Sequence, residues 1–227
     1  MIGTWQAPQS DGTISEELLV SFDAECEHRI LILPAWFDEA NKLRRLTVEV
    51  MRRLEGAEID SFLPDLPGCN ESTAPLEQQT LPGWRLAAEA AAQRFQATHV
   101  LTIRAGALVA PAPLPGWRYA QQTGAKLLRG MIRARIIAAR EDGREETSDK
   151  LMDTGRSEGL TLAGWPIGAE MFRELEHAET IASETRQEIA QSDLGGSGLW
   201  LRAEPDFDAK QADALAALVT ERLRAEA

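Results

Sequence analysis

The stretch HVLTIRAGALVA, residues 99–110, places one arginine where a β-prone segment meets a run of small residues. A strand followed by a tight turn of small residues is how many enzymes present a nucleophile. Arginine is not a nucleophile, but the Arg104 guanidinium beside the backbone N–H groups of Ala105 and Gly106 would suit a carboxylate or phosphate. The alternative is that Arg104 is a structural ion-pair partner, because buried arginines are usually paired.

Three carboxylates follow two other β-prone segments. Asp38 and Glu39 come after RILILPAWF, and Asp65 comes after IDSFLP. Asp38 or Glu39 could do acid–base work if one had a raised pKa. The alternative is a helix N-terminus that favours negative charge. All three are candidate ion-pair partners of Arg104.

Other nucleophile candidates are weaker. Cys69 has no predicted histidine nearby to lower its pKa. Ser72 ends the same turn, PDLPGCNES, and is expected to cap it. Ser197 has flanking glycines but follows no predicted strand. The two cysteines, Cys26 and Cys69, lack metal-type or redox-type spacing, which favours a reduced, cytosolic setting. We expect no metal and no cofactor.

The elements that would position these residues alternate between strand and helix. RILILPAWF, IDSFLP and THVLTI are predicted strands, and the two segments between them have helical patterns. This order predicts parallel strands in a layered sheet. Prolines at 111, 113 and 115 exclude a helix of normal length after Gly106. Farther along, the sequence predicts a strand in GWRYAQ, a helix over 124–140 and an exposed loop in EDGREETSDK. A helix beginning at AEMF, a last strand in LWLRAEP and a closing helix are predicted after that loop.

The histidines argue against a Ser-His-Asp triad. A catalytic histidine must lie within hydrogen-bond reach of the nucleophile, at the C-terminal edge of a parallel sheet. His28 and His99 stand at the beginnings of predicted strands, which is the opposite edge. His177 lies in a predicted helix, and no histidine follows it.

Five segments in order resemble the exosortase A system-associated hydrolases of the second type, an α/β-hydrolase-like family. They are LPAWFDEANKLRR, LPDLPGCNES, IRAGAL, LLRGMIRARIIA and LAGWPIGAEMFREL. The resemblance spans roughly residues 28–180 and implies arginine at the nucleophile elbow. It also implies an accessory role beside exosortase and exopolysaccharide genes. The chain departs from the family pattern in its short segment after the elbow.

The resemblance implies a three-layer α/β-hydrolase-like fold with a mainly parallel sheet, reduced after the elbow, in one domain over 1–227. The leading hypothesis is a catalytically degenerate homologue that binds a small anionic or acyl ligand, or a protein partner, at the elbow. The expected ligand site comprises Trp36, Phe37, Asp65, Arg104, Ala105 and Gly106. The alternative is an ester or thioester hydrolase with Asp38 or Glu39 as base and Arg104 as anion holder.

The composition limits the classes of partner that the protein is expected to bind. The net charge of −12 argues against nucleic acid and against an anionic membrane surface. No apolar run reaches the roughly 20 residues of a membrane helix, and the first residues do not resemble a signal peptide. We therefore expect a cytoplasmic protein without membrane insertion.

The basic face of the 124–140 segment is either solvated or a contact for an acidic partner. The tryptophans at 36, 84, 117 and 165 either line a pocket or fill the core.

Overall fold

The computed structural model describes residues 1–181 and 183–226. In that part of the chain the strands are β1 Ile2–Pro8, β2 Ile14–Phe22, β3 Arg29–Leu33, β4 Asp60–Pro64, β5 His99–Ile103, β6 Gly116–Tyr119, β7 Leu160–Leu162, β8 Trp165–Ile167 and β9 Arg186–Ile189. The helices are α1 Asp38–Glu55, α2 Leu81–Arg94, α3 Gly124–Glu141, α4 Ser148–Glu158, α5 Ala169–His177, α6 Gln191–Leu194 and α7 Ala209–Glu226.

The central sheet has seven strands in the order β1-β2-β4-β3-β5-β6-β9. The β1–β2 hairpin and the β2–β4 pair are antiparallel. The other five strands of this sheet, β4, β3, β5, β6 and β9, run parallel to one another. Every residue of β4 and β5 is buried, as expected for strands covered on both faces. The parallel strands therefore bring the ends of β3, β5 and β6 to one edge.

Helices cover both faces of the sheet, which gives three layers. One apolar cluster joins the sheet to α1 and α7, and includes Leu46 and Leu215. The other joins it to α2, α3 and α5, and includes Trp84, Leu127 and Phe172. None of the described helices is long and apolar enough to cross a membrane.

A helical insertion, comprising α3, α4, the β7–β8 hairpin and α5, separates β6 from β9 in the chain. Thr123 caps α3 by accepting a hydrogen bond from the backbone N–H of Lys126. A Cβ on Gly155 of α4 would clash with the Phe172 ring, so a glycine is needed where α4 meets α5. The insertion forms one wall of the site described below.

The segment after β5 confirms the effect of the prolines, because it is a six-residue 3₁₀ turn, Arg104–Val109, and not an α-helix. The prediction of a strand in LWLRAEP is wrong. Leu199–Leu201 is a 3₁₀ turn, and Leu201 is 73% exposed, so this apolar run does not join the sheet. Sequence reasoning also missed the β1–β2 hairpin, and it missed α4, which begins inside the loop expected at EDGREETSDK.

Candidate functional site

The turn after β5 has the backbone of a nucleophile elbow. Arg104 has a φ of 55°, in the left-handed region that side chains other than glycine rarely adopt. A Cβ on Gly106 would clash with the carbonyl oxygen of Leu33 and lie 2.7 Å from that of Pro34. The turn therefore packs directly on the end of β3, which only glycine permits at this position.

The Arg104 side chain is held by four groups. Its Nε and Nη2 atoms donate to the two carboxylate oxygens of Glu39, both at 2.9 Å. Its Nη1 donates to the carbonyl oxygen of Ala120 at 2.8 Å, and Nη2 also donates to Oε1 of Gln122. The guanidinium carbon lies 4.2 Å from the centroid of the Trp200 ring.

This geometry makes Arg104 an anchor for its neighbours. A two-point guanidinium–carboxylate pair is among the strongest protein hydrogen-bond arrangements. The Arg104 side chain is only 12% exposed, and that of Glu39 is 18% exposed. An incoming carboxylate or phosphate would have to displace Glu39 from the guanidinium. The ion-pair alternative for Arg104 thus describes the observed contacts.

The carboxylates considered as bases are both engaged in ion pairs. The oxygens of Glu39 face Arg104, and Asp38 pairs with Lys42 at 2.7 Å one helical turn along α1. Helix α1 begins at Asp38, so both residues also lie at the positive end of the helix. Oxygens of both carboxylates are therefore occupied by cationic partners.

A cleft of about 390 Å³ opens beside this ion pair. Its walls come from the loop after β3, the start of α1, helix α3 and the turn that holds Trp200. Apolar and aromatic side chains supply most of its lining: Trp36, Phe37, Leu127, Met131 and Trp200. Arg104 is not part of the lining, but it contacts three residues that are: Glu39, Gln122 and Trp200. It supports the wall from behind.

The mouth of the cleft carries an available cation. Lys126 lines the cleft, is exposed, and has no ion pair within the described residues. Lys42 also lines it but is already bound to Asp38. The arrangement suits a ligand with an apolar body and one negative end.

The loop entering α1 is strained. Phe37 has φ 56° and ψ −131°, a conformation that is costly for any residue with a side chain. The Phe37 ring lies 5.7 Å from that of Trp165, the first residue of β8 in the β7–β8 hairpin. Phe37 and Arg104 are two of eight described residues other than glycine with a positive φ, and Ala120 and Ala163 beside the cleft are two more.

Asp65 lies apart from Arg104. Its Oδ1 accepts from Arg44 at 3.0 Å, and its Oδ2 has no hydrogen-bond partner among the described residues. Burial raises the pKa of Asp65, and the charge of Arg44 partly opposes this. Asp65 lines a separate cavity of about 20 Å³, together with Trp36 and Cys69. Such a cavity has room for about one water molecule.

The other side chains suggested as nucleophiles have structural surroundings. Burial raises the pKa of the Cys69 thiol, and the charges of Asp65 and Glu17 add to the effect. The protonated thiol is a poor nucleophile. Ser72 Oγ accepts from the backbone N–H groups of Gly68 and Ala74 and donates to Glu17, so it closes the turn as expected.

The histidines lie where the sequence placed them. His99 is the first residue of β5, and its ring lies 5.9 Å from that of His28. His177 is the last residue of α5. Five residues of fully extended β5 span roughly 16 Å, which separates His99 from the turn at Arg104. No group of three or more metal-ligating side chains occurs among the residues the structure describes.

The structure thus brings together Trp36, Phe37, Asp38 and Glu39 at the cleft, with Arg104 behind them. Ala105 and Gly106 are buried beneath the turn and line none of the described cavities. Sequence reasoning missed the other wall residues, including Gln122 and Trp200. The position of Gln122, shortly after β6, was a usable signal, whereas Trp200 follows the whole insertion and has none.

No protein-family model matches the chain, and no curated protein matches its sequence. Solved structures do match its fold. Mouse alpha/beta hydrolase domain-containing protein 10 superimposes with a TM-score of 0.60 at 10% identity, over 99% of this chain and 100% of that one. The esterase domain of a Rhodothermus marinus protein gives 0.53 at 11% identity, over 99% and 98%. A Thermogutta terrifontis esterase, solved with malate bound, gives 0.52 at 12% identity, over 98% and 97%.

The chain therefore has the α/β-hydrolase fold. The strand order, the turn after β5 and the near-complete superpositions all agree on this. At these identities the likeness concerns the fold, and the chemistry must be argued from the residues present.

Proposed function

We propose that this chain is a catalytically degenerate α/β-hydrolase homologue that binds a small anionic or acyl ligand in the cleft beside the elbow. The observation that carries the proposal is the elbow itself. The position of the nucleophile holds Arg104, whose guanidinium is bound to Glu39, Ala120 and Gln122. The turn supports the wall of the cleft.

The chemistry around the cleft supports binding without turnover. A serine esterase needs a nucleophile, a histidine base and an acid that orients the base. None of the described residues lining the cleft is a serine, cysteine or histidine. Most of the lining is aromatic or aliphatic. Of its charged groups, Asp38 is paired with Lys42 and Glu39 with Arg104, which leaves Lys126 as the cation for an amphipathic ligand with one negative end.

The accessory role beside an exosortase or exopolysaccharide system belongs to the same proposal and rests on the five-segment resemblance. A protein that keeps the elbow but not the triad would contribute to such a system by carrying or sensing an acyl compound. We also propose that residues 1–227 act as one domain and that the protein works in the cytoplasm.

Binding of dodecanoate tests the ligand proposal, measured by isothermal titration calorimetry. The protein is expected to bind it, and Lys126→Glu is expected to weaken binding by roughly tenfold, because a like charge replaces the cation at the mouth. Lys210→Glu is the matched control, because Lys210 is an exposed lysine on α7 that does not line the cleft, and it should leave the affinity unchanged. No binding, or equal binding by both variants, would overturn the proposal.

Labelling with a fluorophosphonate probe tests the loss of serine chemistry. The protein should remain unlabelled under conditions that label an active serine esterase completely. Stoichiometric modification of any serine would contradict the degenerate assignment even if dodecanoate binds.

A further inference from the structure

Helix α3 carries a concentration of basic residues in an acidic chain. Five of its 18 residues are basic and one is acidic, while the whole chain has a net charge of −12. The basic residues are Lys126, Arg129, Arg133, Arg135 and Arg140. This imbalance is confined to a single element of the fold.

Three of these arginines have no ion-pair partner within residues 1–181 and 183–226: Arg129, Arg133 and Arg140. Two nearby carboxylates are already bound to other arginines. Glu146 binds Arg135 at 2.7 Å and Arg144 at 3.1 Å, and Asp142 binds Arg144 at 3.0 Å. The three arginines are exposed and available to an external partner.

The same arginines border a groove of about 480 Å³ with an apolar floor. Ile132, Ile136 and Ile137 line it between the arginines, and the Ile137 side chain is 48% exposed. Ile132 is buried in the core and Ile136 packs against it, whereas Ile137 is exposed between the arginines. The combination favours a partner that offers both apolar and negative groups.

The start of α4 adds positive potential at one end of this groove. Ser148, the first residue of α4, lines the groove. The preceding residue, Thr147, makes no side-chain capping bond to the helix. The unsatisfied N–H groups of the first turn add to the field of the arginines, and the Asp149 carboxylate in the same turn opposes part of it.

We propose that this groove, which we call the α3 groove, binds an acidic amphipathic helix of another protein. Arg129, Arg133 and Arg140 recur on one face of α3 over roughly 16 Å, about three helical turns. A partner helix with glutamates at the same spacing and leucines between them would match both the charges and the isoleucine floor. The ligand cleft uses five other residues of α3, so both sites can be occupied together: Lys126, Leu127, Gly130, Met131 and Ala134.

Charge also distinguishes this partner from a membrane. An anionic bilayer meets a broad surface and experiences the net charge of −12, which repels it. A narrow helix lies within a Debye length of the groove, about 8 Å at physiological salt, and experiences mainly the local arginines. The observations therefore favour a protein helix.

Fluorescence anisotropy with a designed peptide tests the proposal. The probe is a fluorescein-labelled, Ala-based helix with Glu at positions i, i+4 and i+11 and Leu at i+3, i+7 and i+8. We expect saturable binding that weakens with added salt. The double variant Arg129→Glu/Arg133→Glu should weaken it by roughly tenfold or more. Ile137→Ala should weaken it less.

The matched control is Arg94→Glu/Arg224→Glu, which makes the same change of charge at two exposed arginines on α2 and α7. It should bind the peptide like the unchanged protein. Absence of binding, equal weakening in both double variants, or equal binding of a peptide with Lys in place of Glu would overturn the proposal. Binding to phosphatidylserine vesicles that is lost only in the groove variant would also overturn it, in favour of a membrane.

Discussion

Arg104 and Arg133 are the same side chain in two opposite settings. Arg104 is 12% exposed and is bound by a carboxylate, a carbonyl and an amide at the elbow. Arg133 is exposed on α3 and has no carboxylate partner in the described chain. The donors of Arg104 are bound by groups of the protein itself, whereas the guanidinium of Arg133 is exposed and open to an external partner. An arginine at a catalytic position is therefore no sign of an anion site until its partners are known.

The largest expected difference in stability between the elbow and α3 comes from replacing one glycine by alanine in each. Gly106→Ala at the elbow drives a Cβ into the carbonyl oxygen of Leu33, so a loss of about 3 kcal/mol or more in unfolding free energy is expected. Gly130→Ala on α3 meets no atom within 4 Å and should stabilise the helix by about 0.5–1 kcal/mol. Urea unfolding of both variants measures the difference. Similar effects of the two changes would refute the close contact at the elbow.

Removing the partner of the buried arginine should have the next largest effect. Glu39→Ala leaves Arg104 without its carboxylate, and a loss of about 2–3 kcal/mol is expected. This is below the full cost of breaking a buried pair, because both side chains are partly exposed. Arg133→Ala should change the unfolding free energy by less than about 0.5 kcal/mol. Chemical denaturation tests this, and equal losses would show that the Arg104 pair is not an anchor.

Glu17 is a buried carboxylate that, unlike Glu39, has no arginine partner among the described residues. Glu17 is 1% exposed and accepts a hydrogen bond from Ser72 at 2.9 Å, and burial raises its pKa above the ordinary value of 4.5. The folded state therefore holds the Glu17 proton more tightly than the unfolded state does. Its contribution to stability is complete below pH 4.5 and is lost as the pH rises through the raised folded pKa.

Glu17→Gln should accordingly stabilise the protein at pH 7, and the gain should disappear below pH 4.5. Thermal unfolding from pH 4 to pH 8 measures it, with the exposed neighbour Glu16→Gln as the control, for which a smaller effect is expected. A gain for Glu17→Gln that is constant with pH would contradict the assigned cause.

The smallest expected effect is on catalysis. Arg104→Ser restores a hydroxyl at the elbow, but no histidine follows residue 177 to act as its base. The variant should hydrolyse p-nitrophenyl butyrate no faster than buffer. Appreciable turnover by Arg104→Ser would reveal a base that the contacts described above do not include.

Much of the fold could be predicted because the buried parallel strands have unmistakable patterns. RILIL and HVLTI are short, mostly apolar runs rich in β-prone residues, and the prolines after Gly106 correctly excluded a helix. LWL misled because an apolar run alone does not show whether a neighbouring strand is available, and here the sheet ends at β9. The β1–β2 hairpin has weak alternation and an exposed outer strand, which hides it in the sequence.

The site was less predictable because its key contacts join distant segments. Glu39 was among three candidate partners of Arg104, and only the packing of α1 against the turn selects it. Trp200 reaches Arg104 across nearly one hundred residues, including the whole insertion. Local sequence patterns do not specify such long-range contacts.

The central claim is that the elbow holds an anchor and performs no hydrolysis. The most direct measurement is the rate of p-nitrophenyl ester hydrolysis, from butyrate to dodecanoate, by the unchanged protein and by Glu39→Gln. We predict that both rates equal that of buffer. Saturable hydrolysis by the unchanged protein that Glu39→Gln abolishes would contradict the account and identify Glu39 as a working base.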